Sequence, residues 1–156
     1  MEADEAGTAP AVDESGLAIR LFNEAWALLD KEDRTPEEDL LLVHTAHASR
    51  LHWEAVGDDQ RRAVGEWQVA RVYSTLGRQE PALVHARRAL ELAQRPGVEA
   101  WVAASAYEGL ARALLVSGDD QAARVARDQA LAALSAVADA EDRDIVAADV
   151  DTLPFG

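Results

Sequence analysis

The 156-residue chain contains no cysteine, few aromatic residues and only about half as many basic as acidic residues. The absence of cysteine excludes disulfides, thiolate nucleophiles and zinc–thiolate sites. No apolar run approaches the roughly 20 residues that span a bilayer. The segment 1–16 lacks the basic start and the apolar stretch of a signal peptide. Together these features predict a cytoplasmic protein.

The charge balance argues against two classes of partner. The chain has 29 acidic and 15 basic residues, which gives a net charge of −14 at pH 7. Such a surface repels phosphate backbones and anionic lipid headgroups. We therefore expect no nucleic-acid partner and no membrane partner.

Capping and turn signals divide the chain into helices. Thr35, Pro36 and Glu38 form the pattern of a capping box with proline in the first turn. The tetrapeptide 57–60, Gly-Asp-Asp-Gln, recurs at 118–121, where glycine can end one helix in the left-handed conformation and aspartate can cap the next. No segment alternates with period two. The pattern predicts an all-α fold with helices near 17–32, 36–56, 59–76, 79–94, 98–117, 120–138 and 141–150.

Two- to four-residue turns between these helices predict antiparallel neighbours. The acidic segment 1–16, rich in alanine and glycine, is expected to be a disordered tail. Residues 17–150 are then one helical domain, and residues 151–156 form a C-terminal tail. The last short helix is expected to cap the apolar end of the array.

An internal repeat supports a helical array. Adding 41 to a position carries Ala63 to Ala104 and the triplet 69–71 to 110–112. The same shift carries Gly77 to Gly118. Self-similarity at this scale is typical of stacked helix pairs.

The repeated residues resemble those of the tetratricopeptide repeat family. The first copy is carried by Val69, Ala70, Tyr73, Gly77, Ala82, Ala86, Ala89 and Leu90, and the second by Leu110, Ala111, Leu114, Gly118, Ala123, Ala130 and Leu131. The 41-residue period exceeds the family's usual length of about 34 residues, so the likeness is to a long-repeat variant. A HEAT-like helical array is the alternative.

The resemblance implies a concave groove, lined by the first helix of each pair, that binds a peptide. The groove positions fall on Trp67 and Arg71, and on Glu108 and Arg112, each pair four residues apart on one helix face. Trp26 is expected to join them. Arginine can hold a carboxylate with two hydrogen bonds, and tryptophan gives a broad contact area. The alternative is that Glu108 and Arg112 pair with each other and that Trp67 packs inward.

Histidines form a second candidate site. His44 and His47 lie one turn apart on the second predicted helix, where His44 falls within an apolar stripe. His85 occupies the position equivalent to His47 one repeat later. With Glu66 these side chains could hold a divalent metal such as zinc, or supply a general base. The alternative is a set of half-buried histidines with structural hydrogen bonds.

Other enzyme signatures are absent from the sequence: it has no HExxH, no glycine-rich phosphate loop and no G-x-S-x-G. The sequence therefore favours a non-enzymatic module, monomeric or homodimeric, that needs no cofactor and binds a peptide or protein in its groove. A metal-dependent or acid–base enzyme built on His44, His47, Glu66 and His85 is the second hypothesis.

Overall fold

The computed structural model describes residues 7–156, and within them the chain is all-α with seven helices and no strand. The expected all-α helix-pair array is confirmed. The helices are α1 (Glu14–Asp30), α2 (Pro36–Val56), α3 (Asp59–Thr75), α4 (Gln79–Ala93), α5 (Ala100–Val116), α6 (Asp120–Leu134) and α7 (Ala140–Asp151). Within residues 7–156, none of these helices is long and apolar enough to cross a membrane.

Local capping explains most helix boundaries. The side chain of Thr35 accepts a hydrogen bond from the backbone of Glu38, and the Glu38 carboxylate accepts one from the backbone of Thr35, as the capping box predicts. Asp58 and Asp119 cap α3 and α6. Gly118 has φ +80°, so it ends α5 in the left-handed conformation.

Two boundary predictions need correction. Gly57 has φ −78° and an extended backbone, so it does not take the left-handed conformation; the glycine equivalent to Gly118 is Gly77, with φ +70°. The first helix begins at Glu14, because the Asp13 side chain accepts a hydrogen bond from the backbone of Gly16. Residues 14–16 of the expected tail are therefore helical, 7–13 precede the helix, and 1–6 lie outside the described residues.

The helices pack in two layers. Helices α1, α3, α5 and α7 contact one another in sequence and form an inner layer, while α2, α4 and α6 pack behind them as an outer layer. Alanine dominates the buried positions, with Ala18, Ala70 and Ala104 fully buried. Small side chains allow the helix axes to approach closely. The layers are also joined by polar contacts, as where Ser49 of α2 donates to the carbonyl of Ala18 at 2.8 Å.

The segment expected to be a C-terminal tail packs against the domain. Leu153 is buried together with Ala111 and Ala126. The Phe155 ring lies beneath the guanidinium groups of Arg124 and Arg127, with distances of 5.0 and 4.9 Å to the ring centroid. These contacts fix the end of α7 against α5 and α6.

Candidate functional site: the aromatic groove

One repeat position on each of the four inner helices contributes a side chain to the site. Trp26, Trp67, Glu108 and Asp149 are each 41 residues apart in sequence and lie on α1, α3, α5 and α7. The rings of Trp26 and Trp67 lie 5.5 Å apart, and Trp67 Nε1 donates to Glu108 Oε2 at 3.1 Å. We call these four residues the inner ladder.

Two arginines join the acidic half of the inner ladder. Arg71 donates to Glu108 Oε1 at 3.0 Å and approaches Asp149 Oδ1 at 3.4 Å. Arg112 donates to the same Glu108 oxygen through Nε and Nη2, at 2.8 and 2.6 Å, and also to Thr152. Both oxygens of the Glu108 carboxylate are therefore engaged within the chain.

The structure brings all five predicted groove residues together but changes the role of three. Glu108 is 0% exposed, so it cannot touch a ligand, and the prediction that it contacts a peptide needs correction. Arg71 and Arg112 are only 15% and 13% exposed, and Glu108 occupies the donors expected for a ligand carboxylate. The expected alternative, pairing of Glu108 with Arg112, is present. Trp26 and Trp67 remain partly exposed.

An open cavity of about 390 Å³ extends across the inner layer beside the ladder. We call it the aromatic groove; its lining residues are Phe22, Trp26, Val64, Trp67, Trp101, Ser105, Asp142, Ile145, Val146 and Asp149. A second cavity of about 290 Å³ continues from it and shares the side chains of Phe22, Val64 and Trp101. The two cavities form one apolar surface over α1, α3 and α5, with α7 as a wall.

Sequence reasoning missed the groove residues contributed by Trp101 and by α7. Trp101 lies seven residues before Glu108, two turns along the same face of α5, so helical spacing from Glu108 could have found it. The 41-residue shift, applied once more from Glu108, reaches Asp149. The last helix was expected to cap the array, and its residues Ile145 and Asp149 also line the groove.

Glycine at position 109 allows Trp67 to reach its place in the groove. A Cβ atom at Gly109 would lie 2.7 Å from Cδ1 of the Trp67 ring, closer than carbon atoms can approach. The indole therefore rests directly on the backbone of α5, and its N–H points to Glu108. The absence of a side chain at Gly109 and the buried carboxylate of Glu108 together set the position of the Trp67 ring.

Three of the four candidate metal ligands meet between α2, α3 and α4. The rings of His47 and His85 lie 5.3 Å apart, and His47 Nε2 is 2.8 Å from the hydroxyl of Tyr73. His85 Nδ1 lies 2.6 Å from Glu66 Oε2, while Arg50 Nε donates to Glu66 Oε1 at 2.9 Å. We call these five residues the histidine cluster.

Burial and neighbouring charge shift two pKa values in the histidine cluster. Burial lowers the pKa of His47, and the nearby charges of His85 and His44 lower it further against the attraction of Glu66. Burial alone would raise the pKa of Glu66. The hydrogen bonds and positive charges of His85 and Arg50 together outweigh burial, so the pKa of Glu66 is lowered. The cluster therefore favours a neutral His47 beside an ionised Glu66.

The predicted metal site needs correction. Among residues 7–156, no group of three or more histidine, aspartate and glutamate side chains is arranged to hold a metal ion. His44 is exposed rather than part of a buried stripe, and it makes none of the cluster's hydrogen bonds. The Glu66 carboxylate already holds Arg50 and His85, so a cation would have to displace a guanidinium group. The cluster has the hydrogen bonding of a structural network.

Comparison with known proteins adds no identification, since no protein family, curated protein or solved structure matches this chain. The resemblance to the tetratricopeptide repeat family therefore stays a prediction from the sequence.

Proposed function

We propose that the chain is a protein-interaction module whose aromatic groove binds a segment of another protein. The family resemblance implies the same use of the inner helices. A cytoplasmic location remains part of the proposal.

One observation carries the proposal: three of the chain's four tryptophans line a single open groove. Trp26, Trp67 and Trp101 lie there with Phe22, although aromatic residues make up only 5% of the chain. Trp53, the fourth tryptophan, is 8% exposed and lines the adjoining second cavity. Tryptophan is enriched at the centres of protein interfaces, where its area is buried with little loss of side-chain entropy.

The shape of the groove favours a helical ligand. It runs across three helices and is walled by a fourth, so that a ligand contacts several helices at once. An amphipathic helix places its apolar face into such a groove through residues three, four and seven apart. Ile19 and Ile145, at 52% and 58% exposure, add apolar area at the two edges.

Site-specific photo-crosslinking in cells tests the proposal. A photoreactive amino acid at position 145 samples the groove, and the same amino acid at position 84 samples the outer layer. Val84 is 56% exposed on α4 and so matches Ile145 in exposure. We expect a discrete adduct from position 145, with the cross-linked peptide of the partner identified by mass spectrometry. Equal adducts from both positions would contradict a groove-specific function.

The acid–base alternative has one observation in its favour, the hydrogen bond between His85 and Glu66. That carboxylate is already engaged by Arg50. Neither the aromatic groove nor the adjoining second cavity is lined by a residue of the histidine cluster. A general base needs a substrate within hydrogen-bond reach. We therefore propose binding as the function and assign the histidine cluster to stability.

A further inference from the structure

We propose that the occupant of the aromatic groove is a cationic amphipathic helix of a partner protein, selected by the carboxylates of α7. This inference rests on the proposed function and names the chemistry of the ligand.

The lining of the aromatic groove changes from apolar to acidic from α1 to α7. The inner ladder begins with tryptophan on α1 and α3 and ends with Asp149 on α7. A second set of positions spaced by 41 residues, Ile19, Gln60, Trp101 and Asp142, lines the two cavities and also ends in aspartate. A ligand helix packed beside α7 therefore meets aromatic rings on one side and carboxylates on the other.

Carboxylates crowd the α7 end of the groove. Partial desolvation, together with the nearby charges of Asp139, Glu99 and Glu141, raises the pKa of Asp142. Glu99 accepts hydrogen bonds from Trp101 and Gln60, and these lower its pKa, so it remains ionised beside the groove. A cation placed here would be attracted by several charges at once.

Basic residues near this end are few and already engaged. Between positions 139 and 151 the sequence has six acidic residues and one basic residue, Arg143, which donates to the carbonyl of Val137 at 3.2 Å. Arg71 and Arg112 hold Glu108. At its α7 end the groove therefore offers aromatic area and negative charge. Arg61, which lines the second cavity on α3, pairs with Asp58 at 2.8 Å.

The spacing on α7 indicates what the ligand must carry. Asp142 and Asp149 are seven residues apart on one helix, or about 10.5 Å, and Ile145 lies between them. A ligand helix packed along α7 would match these with two lysines or arginines about two turns apart and apolar residues between them. A second copy of this chain is a poor match, because each copy carries a net charge of −14.

Selection from a library of random displayed peptides on the immobilised full-length protein tests the inference. The groove variant Ile19→Gln with Ile145→Gln removes apolar area without adding charge. The matched outer variant is Val84→Gln with Val125→Gln, whose residues are 56% and 55% exposed on α4 and α6. Circular dichroism checks that both variants fold. We expect peptides that bind wild type and the outer variant, lose at least tenfold in affinity for the groove variant, and are enriched in lysine and arginine.

Each outcome has a distinct meaning. Groove-dependent peptides enriched in basic residues support the inference. Groove-dependent peptides without that enrichment, or enriched in acidic residues, would overturn it and leave the proposed function intact. If the enriched peptides bind the groove variant as well as wild type, the proposed function fails, and the inference fails with it.

A charge-neutralising pair on α7 locates the contact. Asp142 lines the groove, whereas Asp144 lies on another face of the same helix, and both changes to asparagine remove one charge. Because an ion pair at the rim of the groove is screened by solvent, we expect Asp142→Asn to weaken binding of a selected peptide only about three- to fivefold. Asp144→Asn should change the dissociation constant less than about twofold, through screened long-range charge. Equal effects of the two variants would overturn the role of Asp142.

Discussion

The buried carboxylate of Glu108 gives the sharpest test of how the inner layer is held together. Its oxygen Oε1 accepts hydrogen bonds from Arg71 and Arg112, and Oε2 accepts one from Trp67. Glutamine has the same shape but no charge. Its amide group must also face either the indole N–H or the guanidinium groups, so that donor meets donor. Glu108→Gln therefore removes charge pairing and one hydrogen bond without leaving a cavity.

The expected magnitude is large for a domain of this size. Removing one partner of a buried ion pair typically costs about 3–5 kcal/mol. Asp149 and Thr152 still accept hydrogen bonds from the two arginines, which places the expected loss at the lower end of that range. A loss of about 3 kcal/mol is a substantial part of a typical unfolding free energy of about 5–15 kcal/mol. It corresponds to a melting temperature lower by about 6–12 °C.

Urea unfolding followed by circular dichroism measures the effect. The control is Glu24→Gln, because Glu24 is 54% exposed and pairs with Arg20 at 3.5 Å on the surface of α1. We expect that change to alter the free energy of unfolding by no more than about 1 kcal/mol. A Glu108→Gln protein within about 0.5 kcal/mol of wild type would refute the argument that this carboxylate holds the inner layer.

Three further changes test other parts of the structure. Gly109→Ala should reduce the unfolding free energy by up to about 2 kcal/mol and change the fluorescence of Trp67. Overpacking costs about 1–3 kcal/mol, which exceeds the gain of about 1 kcal/mol from the higher helix propensity of alanine. A more stable variant would contradict the close contact. Because the pKa of His47 is lowered in the folded chain, the unfolded chain binds a proton at this residue more readily. The contribution of His47 to the unfolding free energy is therefore fully present above about pH 6.5 and is lost as the pH falls below that value. Urea midpoints at about pH 7.5 and 5.5 should differ less in His47→Gln than in wild type, and an unchanged difference would count against this assignment. Phe155→Ala should cost about 1–3 kcal/mol and speed hydrogen exchange in α7, as measured by mass spectrometry, and unchanged exchange would show that this ring does not anchor the helix.

Helix positions could be predicted because their signals are local. The capping box at Thr35 and the caps at Asp58 and Asp119 each involve residues three apart in sequence. Gly57 misled the prediction because it is itself the C-cap residue of α2 and is extended, whereas Ser117 is the C-cap residue of α5 and Gly118 follows it in the left-handed conformation. A glycine before an aspartate is compatible with both turns, which here differ in length: two residues separate α2 from α3, and three separate α5 from α6.

The buried face of α2 could not be read from its leucines. Leu40 and Leu51 are 61% and 69% exposed, whereas Leu42, Ala46 and Ser49 are buried. The helix carries apolar residues on two faces, so periodicity alone does not choose between them. Packing against α1 and α3 selects the face that carries Leu42 and Ala46, and His44 lies off that face and is exposed.

The candidate site divides in the same way between what is periodic and what is not. A 41-residue period places Trp67 beside Glu108, and one further step in each direction reaches Trp26 and Asp149, so the positions of the inner ladder are encoded in the sequence. The hydrogen-bond partners of those residues cannot be read from the period. Two arginines from different helices converge on one carboxylate, and this converts Glu108 from an expected ligand contact into a buried structural anion. Since that pairing engages Arg71 and Arg112, the charge left at the α7 end of the groove is that of Asp142 and Asp149, and the ligand we propose is a cation rather than a carboxylate.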